Sequence, residues 1–130
     1  MTTRTGVADP TVEISLYHAI GGRAALVAAV DVFFARLLDD PVLGPFFPGG
    51  VDVTHRRFVV TFLGEALGGP ERYHGRDLGN AHSHLGITDA LFDRTAAHLD
   101  ATLEELGLPR RLVDAIIGVV AGLRPTIVTA

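Results

Sequence analysis

The residues in this chain best suited to chemistry are its histidines, and the chain contains no cysteine. His55 is followed at three, four and seven positions by Phe58, Val59 and Phe62, which in a helix share its face. An imidazole on such a stripe could donate a hydrogen bond to a ligand pressed against it. The stripe alone favours a partly exposed histidine at the edge of a core face, bonded to backbone or water. The second place is Asn80-Ala81-His82-Ser83-His84-Leu85-Gly86-Ile87. In extended backbone an H-x-H pair points both rings to one side and can chelate zinc. In a helix the rings diverge by about 200° and cannot readily share a metal. The nearest carboxylates in sequence are Asp77 and Asp89. A polar loop with two surface histidines is the other reading.

Composition removes several alternatives. Without cysteine there is no disulfide, thiolate zinc site, iron–sulfur cluster or thiolate-ligated haem. A net charge of -4, with the charges scattered, lacks the basic face of a nucleic-acid binder. The first ten residues carry no apolar run and do not read as a signal peptide, and no stretch is long and apolar enough to span a bilayer. A cytoplasmic protein is therefore expected. No nucleophile elbow, phosphate-binding loop, H-E-x-x-H or calcium loop occurs. The Gly-Gly pairs at 21–22, 49–50 and 68–69 read as helix stops and turns. Glu104 and Glu105 read as solvated surface.

The elements that must position these side chains are helical. At 130 residues and 48% hydrophobic, the chain suits one domain with its own core. Residues 1–13 read as a flexible extension and 14–130 as the domain. A short helix spans Ser15 to Ile20. A longer one from Arg23 to Leu38 carries Leu26, Val27, Val30, Phe33, Phe34, Leu37 and Leu38, and Asp39-Asp40-Pro41 stops it. Val42 to Phe47 is a short tight segment. Asp52 stands at an N-cap, with helix through Leu67. A turn of helix at Asp77 to His82 is weakly signalled. Thr88 caps a helix running to Gly107, and Pro109 opens a last one ending near Pro125. No alternating strand pattern appears, so the fold class is all-α.

In this order several strings resemble one family. Ser15-Leu16-Tyr17 with Ile20-Gly21-Gly22, Phe46-Phe47 after Asp39-Asp40, Ala66-Leu67-Gly68-Gly69-Pro70 before Tyr73-His74-Gly75, and Ala81-His82 before Leu85-Gly86-Ile87-Thr88 are similar to the group I truncated haemoglobins. The resemblance runs from about Ser15 to Val128. It implies a truncated globin, a two-over-two helical sandwich around haem b. It places His82 as the proximal iron ligand, Phe47 on the haem face and His55 on the distal helix above the iron. Phe34 and Val59 fall on the other distal positions, Phe92 on an aromatic haem contact, and Tyr73 and Arg76 near a propionate. The stripe of Phe58, Val59 and Phe62 then becomes a surface for haem, and His55 gains a role.

The departures shape the expected pocket. Many relatives place Tyr at Phe34 and a polar residue at Val59; neither Phe nor Val donates a side-chain hydrogen bond. His55 is left as the distal donor, in a pocket of Phe, His and Val. Some relatives ligate iron directly from a histidine at the position of Phe58, which Phe cannot do. The function implied is reversible binding of dioxygen and other diatomic gases, carbon monoxide and nitric oxide among them. The alternatives are a nitric oxide dioxygenase served by an external reductase, a six-coordinate redox or sensor haem protein with His55 on the iron, and a non-haem zinc or interaction domain built on His82 and His84.

Overall fold

The computed structural model describes residues 15–72 and 85–128. The N-terminal extension through residue 13 and the helical turn expected at Asp77–His82 lie outside the described residues. The elements, in order, are α1 (Leu16–Ala19), α2 (Gly22–Asp39), a 3-10 turn (Gly44–Phe46), α3 (Val53–Ala66), α4 (Asp89–Glu105), α5 (Arg110–Ala121) and α6 (Arg124–Ile127). No strand occurs among the described residues, as the apolar periodicity predicts.

Local chemistry sets the helix ends. Asp52 Oδ1 accepts the His55 backbone N–H at 2.7 Å and opens α3. Thr88 Oγ1 accepts that of Leu91 at 3.1 Å and opens α4. Each cap satisfies an orphan donor of the first turn and contributes about 1 kcal/mol. Pro109 is the cap of α5 rather than its first residue, one position off the sequence reading. Pro125 does not end the helical chain. It lies in the first turn of α6, where its missing N–H costs nothing.

The α2–α3 pair is layered over α4–α5, with α2 crossing α4. The core between them comprises Leu26, Ala29, Val30, Phe34 and Leu37 of α2, Val60 of α3, Leu99 and Leu103 of α4, and Val113 and Ile116 of α5. Thr102 is fully buried in this layer, and its hydroxyl donates to the His98 carbonyl at 2.8 Å, so its own oxygen is not stranded.

The return from α3 is tied to α1. Gly69 passes so close to Tyr17 that a Cβ there would sit 2.5 Å from the ring, which explains the second glycine of that pair. The Tyr17 hydroxyl donates to Glu71 Oε2 at 2.7 Å, and Arg23 reaches the same oxygen at 3.1 Å. Burial opposes the charge on Glu71, but hydrogen bonds from Tyr17, its own backbone and Arg23 win and hold its carboxyl below the ordinary value. The chain thus leaves α3 from a fixed point just before the segment that contains His82.

Candidate functional site

A cavity of about 410 Å³ opens between the two helix pairs. Phe33 and Leu37 of α2 reach it at a four-residue spacing, and Leu43, Phe46 and Phe47 enter from the turn that follows. Across the cavity stand Phe92, Thr95, Ala96 and Leu99 of α4, Val120 of α5 and Ile127 of α6. Leu85 and Ile87 close another side. Among the described residues the lining is apolar except at two places. Thr95 has spent its hydroxyl on the Leu91 carbonyl at 2.9 Å. His55, in the first turn of α3, is the polar side chain left facing the cavity.

The His55 ring is held by aromatic neighbours. Its centroid lies 5.4 Å from that of Phe34, with planes 58° apart, and 6.1 Å from that of Phe47, at 43°. Phe34 and Phe47 meet edge to face at 5.8 Å. The three rings make one cluster drawn from α2, the 3-10 turn and α3. Tilted and edge-on ring pairs of this spacing are favourable. The Asp52 cap fixes the backbone on which the imidazole is mounted.

The sequence-derived site residues fall in different places. Phe47, His55 and Phe92 line the cavity. Phe34 is buried behind His55 and Phe47, and its neighbour Phe33 supplies the lining surface. Val59 is half-buried against the core, and Phe62 is half-buried on the same helix. Phe58 is 49% exposed and does not line the cavity. Tyr73, Arg76, His82 and His84 lie outside the described residues. Several lining residues were not assigned a role at the site in the sequence: Phe33, Leu37, Leu43, Thr95 and Leu99. Their signal was the helical spacing of Phe33 with Leu37 and of Phe92 with Thr95 and Leu99, which reads as core until the facing surface is known to be empty.

The turn that carries Phe46 and Phe47 is anchored by a buried carboxylate. Asp40 Oδ1 accepts the N–H groups of Val42 at 2.7 Å and Leu43 at 3.1 Å. Its Oδ2 meets Arg94 Nε and His98 Nε2, both of α4, each at 2.7 Å. The Arg94 hydrogen bond outweighs the burial that opposes the charge. With help from His98 and the two backbone groups it holds the carboxyl well below the usual carboxylate range.

A second apolar cavity, about 20 Å³, lies deeper among Ile20, Leu26, Val30, Leu63 and Ile116 and shares Phe33 and Leu99 with the first. It is too small for anything beyond a few atoms. The larger space can take a flat, mostly apolar ring system. A haem macrocycle fits the residues present, since among the described residues no charged side chain lines the cavity and one imidazole stands on its wall. Among the described residues no helix is long and apolar enough to cross a membrane, and no cluster of three or more His, Asp or Glu forms a metal site.

Comparison with known proteins agrees with this architecture. The bacterial-like globin family matches residues 15–129. A group 1 truncated hemoglobin of Mycolicibacterium paratuberculosis is 38% identical over 115 residues, covering 88% of this chain and 85% of that protein. The structure of the truncated hemoglobin from Tetrahymena pyriformis in its Fe(III) form aligns with a TM-score of 0.82 at 30% identity, over 88% of this chain and 97% of that one. A 2/2 hemoglobin of a Synechococcus species, solved in the cyanomet state with covalently attached heme, aligns with a TM-score of 0.79 at 33% identity, over 86% and 94% of the two chains. Helix order, layering and a sequence match running the length of the domain lead to one assignment: the chain belongs to the bacterial-like globin family, among the group I truncated haemoglobins, and is a haem-based gas-binding globin.

Proposed function

We propose that this protein binds dioxygen reversibly at haem b, with His82 as the iron ligand and His55 as the hydrogen-bond donor to the gas. The observation that carries this reading is the placement of His55: among the described residues, the one imidazole on the wall of an apolar slot, with aromatic rings on two sides. Haem b held in the slot supplies a ferrous iron that takes up diatomic gases reversibly. The chain has no cysteine for thiolate ligation, which leaves imidazole as the natural iron ligand. His82 stands three positions before Leu85, which lines the slot, and five before Ile87, which does the same.

The chain's own residues then divide the work. Phe33, Leu37, Phe46, Phe47, Phe92 and Leu99 exclude water and press on the macrocycle. His55 presents a ring N–H to the ligand side. A hydrogen bond from that group to a ligand carrying partial negative charge is worth roughly 1.5–3 kcal/mol, about one to two decades in retention. Carbon monoxide and nitric oxide fit the same space and need the donor less, because they carry less charge.

Absorption spectra of the purified protein in ferric, ferrous and CO-bound forms, beside those of His82→Ala and His55→Leu, test the reading. Loss of the proximal imidazole signature in His82→Ala, with pentacoordinate ferrous iron in the unaltered protein, supports it. Unchanged coordination in His82→Ala overturns the ligand assignment, and a protein that never takes up haem overturns the function.

A further inference from the structure

The slot has two walls, and one buried carboxylate touches both. Asp40 follows the last residue of α2 and begins the turn that delivers Leu43, Phe46 and Phe47 to one wall. Its Oδ1 caps the N–H groups of Val42 and Leu43, and its carbonyl accepts the Gly44 N–H at 2.8 Å. The turn then closes on itself through Phe46 N–H to Leu43 O at 3.0 Å and Phe47 N–H to Gly44 O at 2.9 Å. Oδ2 binds Arg94 and His98 across 54 and 58 residues of sequence. Those two side chains belong to the same stretch of α4 that supplies Phe92, Thr95, Ala96 and Leu99 to the opposite wall.

The turn is also held by Leu43, which is buried in the core, and by Phe46 and Phe47 packed against it; Asp40 adds the polar bonds that tie it to α4. The turn's backbone is irregular, and Pro41, Val42 and Pro45 are exposed. Gly44 leaves no room for a side chain, since a Cβ there would lie 2.7 Å from the Leu38 carbonyl oxygen. Beyond the turn, Phe47 rests against the imidazole of His55 and against Phe34. A displacement of the turn therefore reaches His55 through one ring.

We propose that Asp40, Arg94 and His98 are positioning residues for gas binding: they lock the Phe46–Phe47 turn to α4 and, through Phe47, fix where the His55 imidazole stands in the slot. This rests on the haem reading of the slot. It assigns the clasp a part in tuning the ligand side, beyond its contribution to folding. None of the three residues lines the slot itself.

The test compares the full-length protein with Asp40→Asn, Arg94→Ala and His98→Gln, alone and each combined with His55→Leu. The two α4 variants keep the carboxylate and its caps on Val42 and Leu43, so they carry the test if Asp40→Asn does not fold. In the haem-free protein, amide exchange of Val42, Leu43 and Gly44 is expected to quicken about tenfold or more in Asp40→Asn, with core amides of α2 and α4 unaffected. In the haem-loaded ferrous protein with carbon monoxide, the infrared C–O band is expected to shift or split in each clasp variant, because the dipole facing the ligand moves. That change should vanish when His55 is already leucine. A C–O band unmoved by all three clasp variants overturns the proposal. An equal shift with and without His55 also overturns it, since the clasp would then act on the slot by another route. Failure of the unaltered protein to bind haem overturns the reading of the slot instead, and the amide exchange still reports whether the clasp holds the turn.

Discussion

The imidazole of His55 and the ring of Phe34 stand 5.4 Å apart with their planes tilted by 58°, one on α3 and the other on α2. Phe34 is almost fully buried, so it offers His55 a rigid apolar backing and no hydrogen bond. The ring of His55 is exposed on one side, lines the slot on another and packs on Phe34 and Phe47.

Removing the His55 ring N–H isolates its contribution. In His55→Leu the apolar packing against Phe34 and Phe47 is largely kept and the donor is lost. Oxygen dissociation should quicken by about tenfold or more, and oxidation to ferric haem should quicken with it. Stopped-flow displacement of oxygen by carbon monoxide measures the first, and the decay of the oxy spectrum the second. Unchanged dissociation takes His55 out of the mechanism.

Phe34→Tyr adds a hydroxyl beside His55 at a buried position. A buried hydroxyl without a partner costs about 1–3 kcal/mol, so it will turn toward the imidazole or toward a ligand in the slot. Either choice strengthens the donor set, and oxygen release should slow. A faster release would mean that the added group displaces His55 instead of assisting it.

Much of this arrangement is legible in the sequence, and the remainder is tertiary. The apolar spacing of α2, α4 and α5 and the caps at Asp52 and Thr88 are local signals; the structure shows α2 and α4 within a residue or two of that reading, while α5 ends at Ala121, short of Pro125. Periodicity does not decide which of two adjacent phenylalanines reaches a cavity. Phe33 and Phe34 lie about 100° apart around the helix, and only the crossing of α2 over α4 turns Phe33 outward and Phe34 into the core. Asp39 and Asp40 both read as a helix stop, yet one is exposed and the other buried, because the partners of Asp40 lie more than 50 residues away. Short α6 contains Pro125 in its first turn, and that proline reads as a terminus when the docking surface of the helix is not known.

That last helix carries its own prediction. The Arg124 guanidinium lies 4.6 Å over the Phe92 ring and pairs with Asp89 at 2.9 Å and Asp93 at 2.5 Å, holding α6 against α4. Phe92 and, from α6, Ile127 line the slot. Exposed cation–π contacts contribute about 0.5–1 kcal/mol, and partly exposed ion pairs about 0–1 kcal/mol. Arg124→Ala should therefore loosen the slot by about 1 kcal/mol and speed haem loss to an excess acceptor by about fivefold. Retention equal to that of the unaltered protein would show that α6 is held by its apolar contacts alone.

Asp40 predicts a pH dependence of stability. Hydrogen bonds from Arg94, His98 and two backbone groups, the Arg94 bond foremost, hold its carboxyl well below the ordinary value, so the folded chain binds this proton more weakly than the unfolded chain. Stability from this group is complete above the unfolded value of about 4 and is lost progressively as pH falls from there toward the folded value. At neutral pH Asp40→Asn should lower the melting temperature of the haem-free protein, because an amide is a poorer acceptor for a guanidinium and sets an N–H₂ against one of its four donors. Below pH 4 the deficit should shrink, since the unaltered protein is there losing the same advantage. Thermal unfolding followed by circular dichroism from pH 3 to pH 7 distinguishes the outcomes. Parallel curves for the two proteins would mean that Asp40 keeps an ordinary proton affinity when folded and that the clasp is held without its charge.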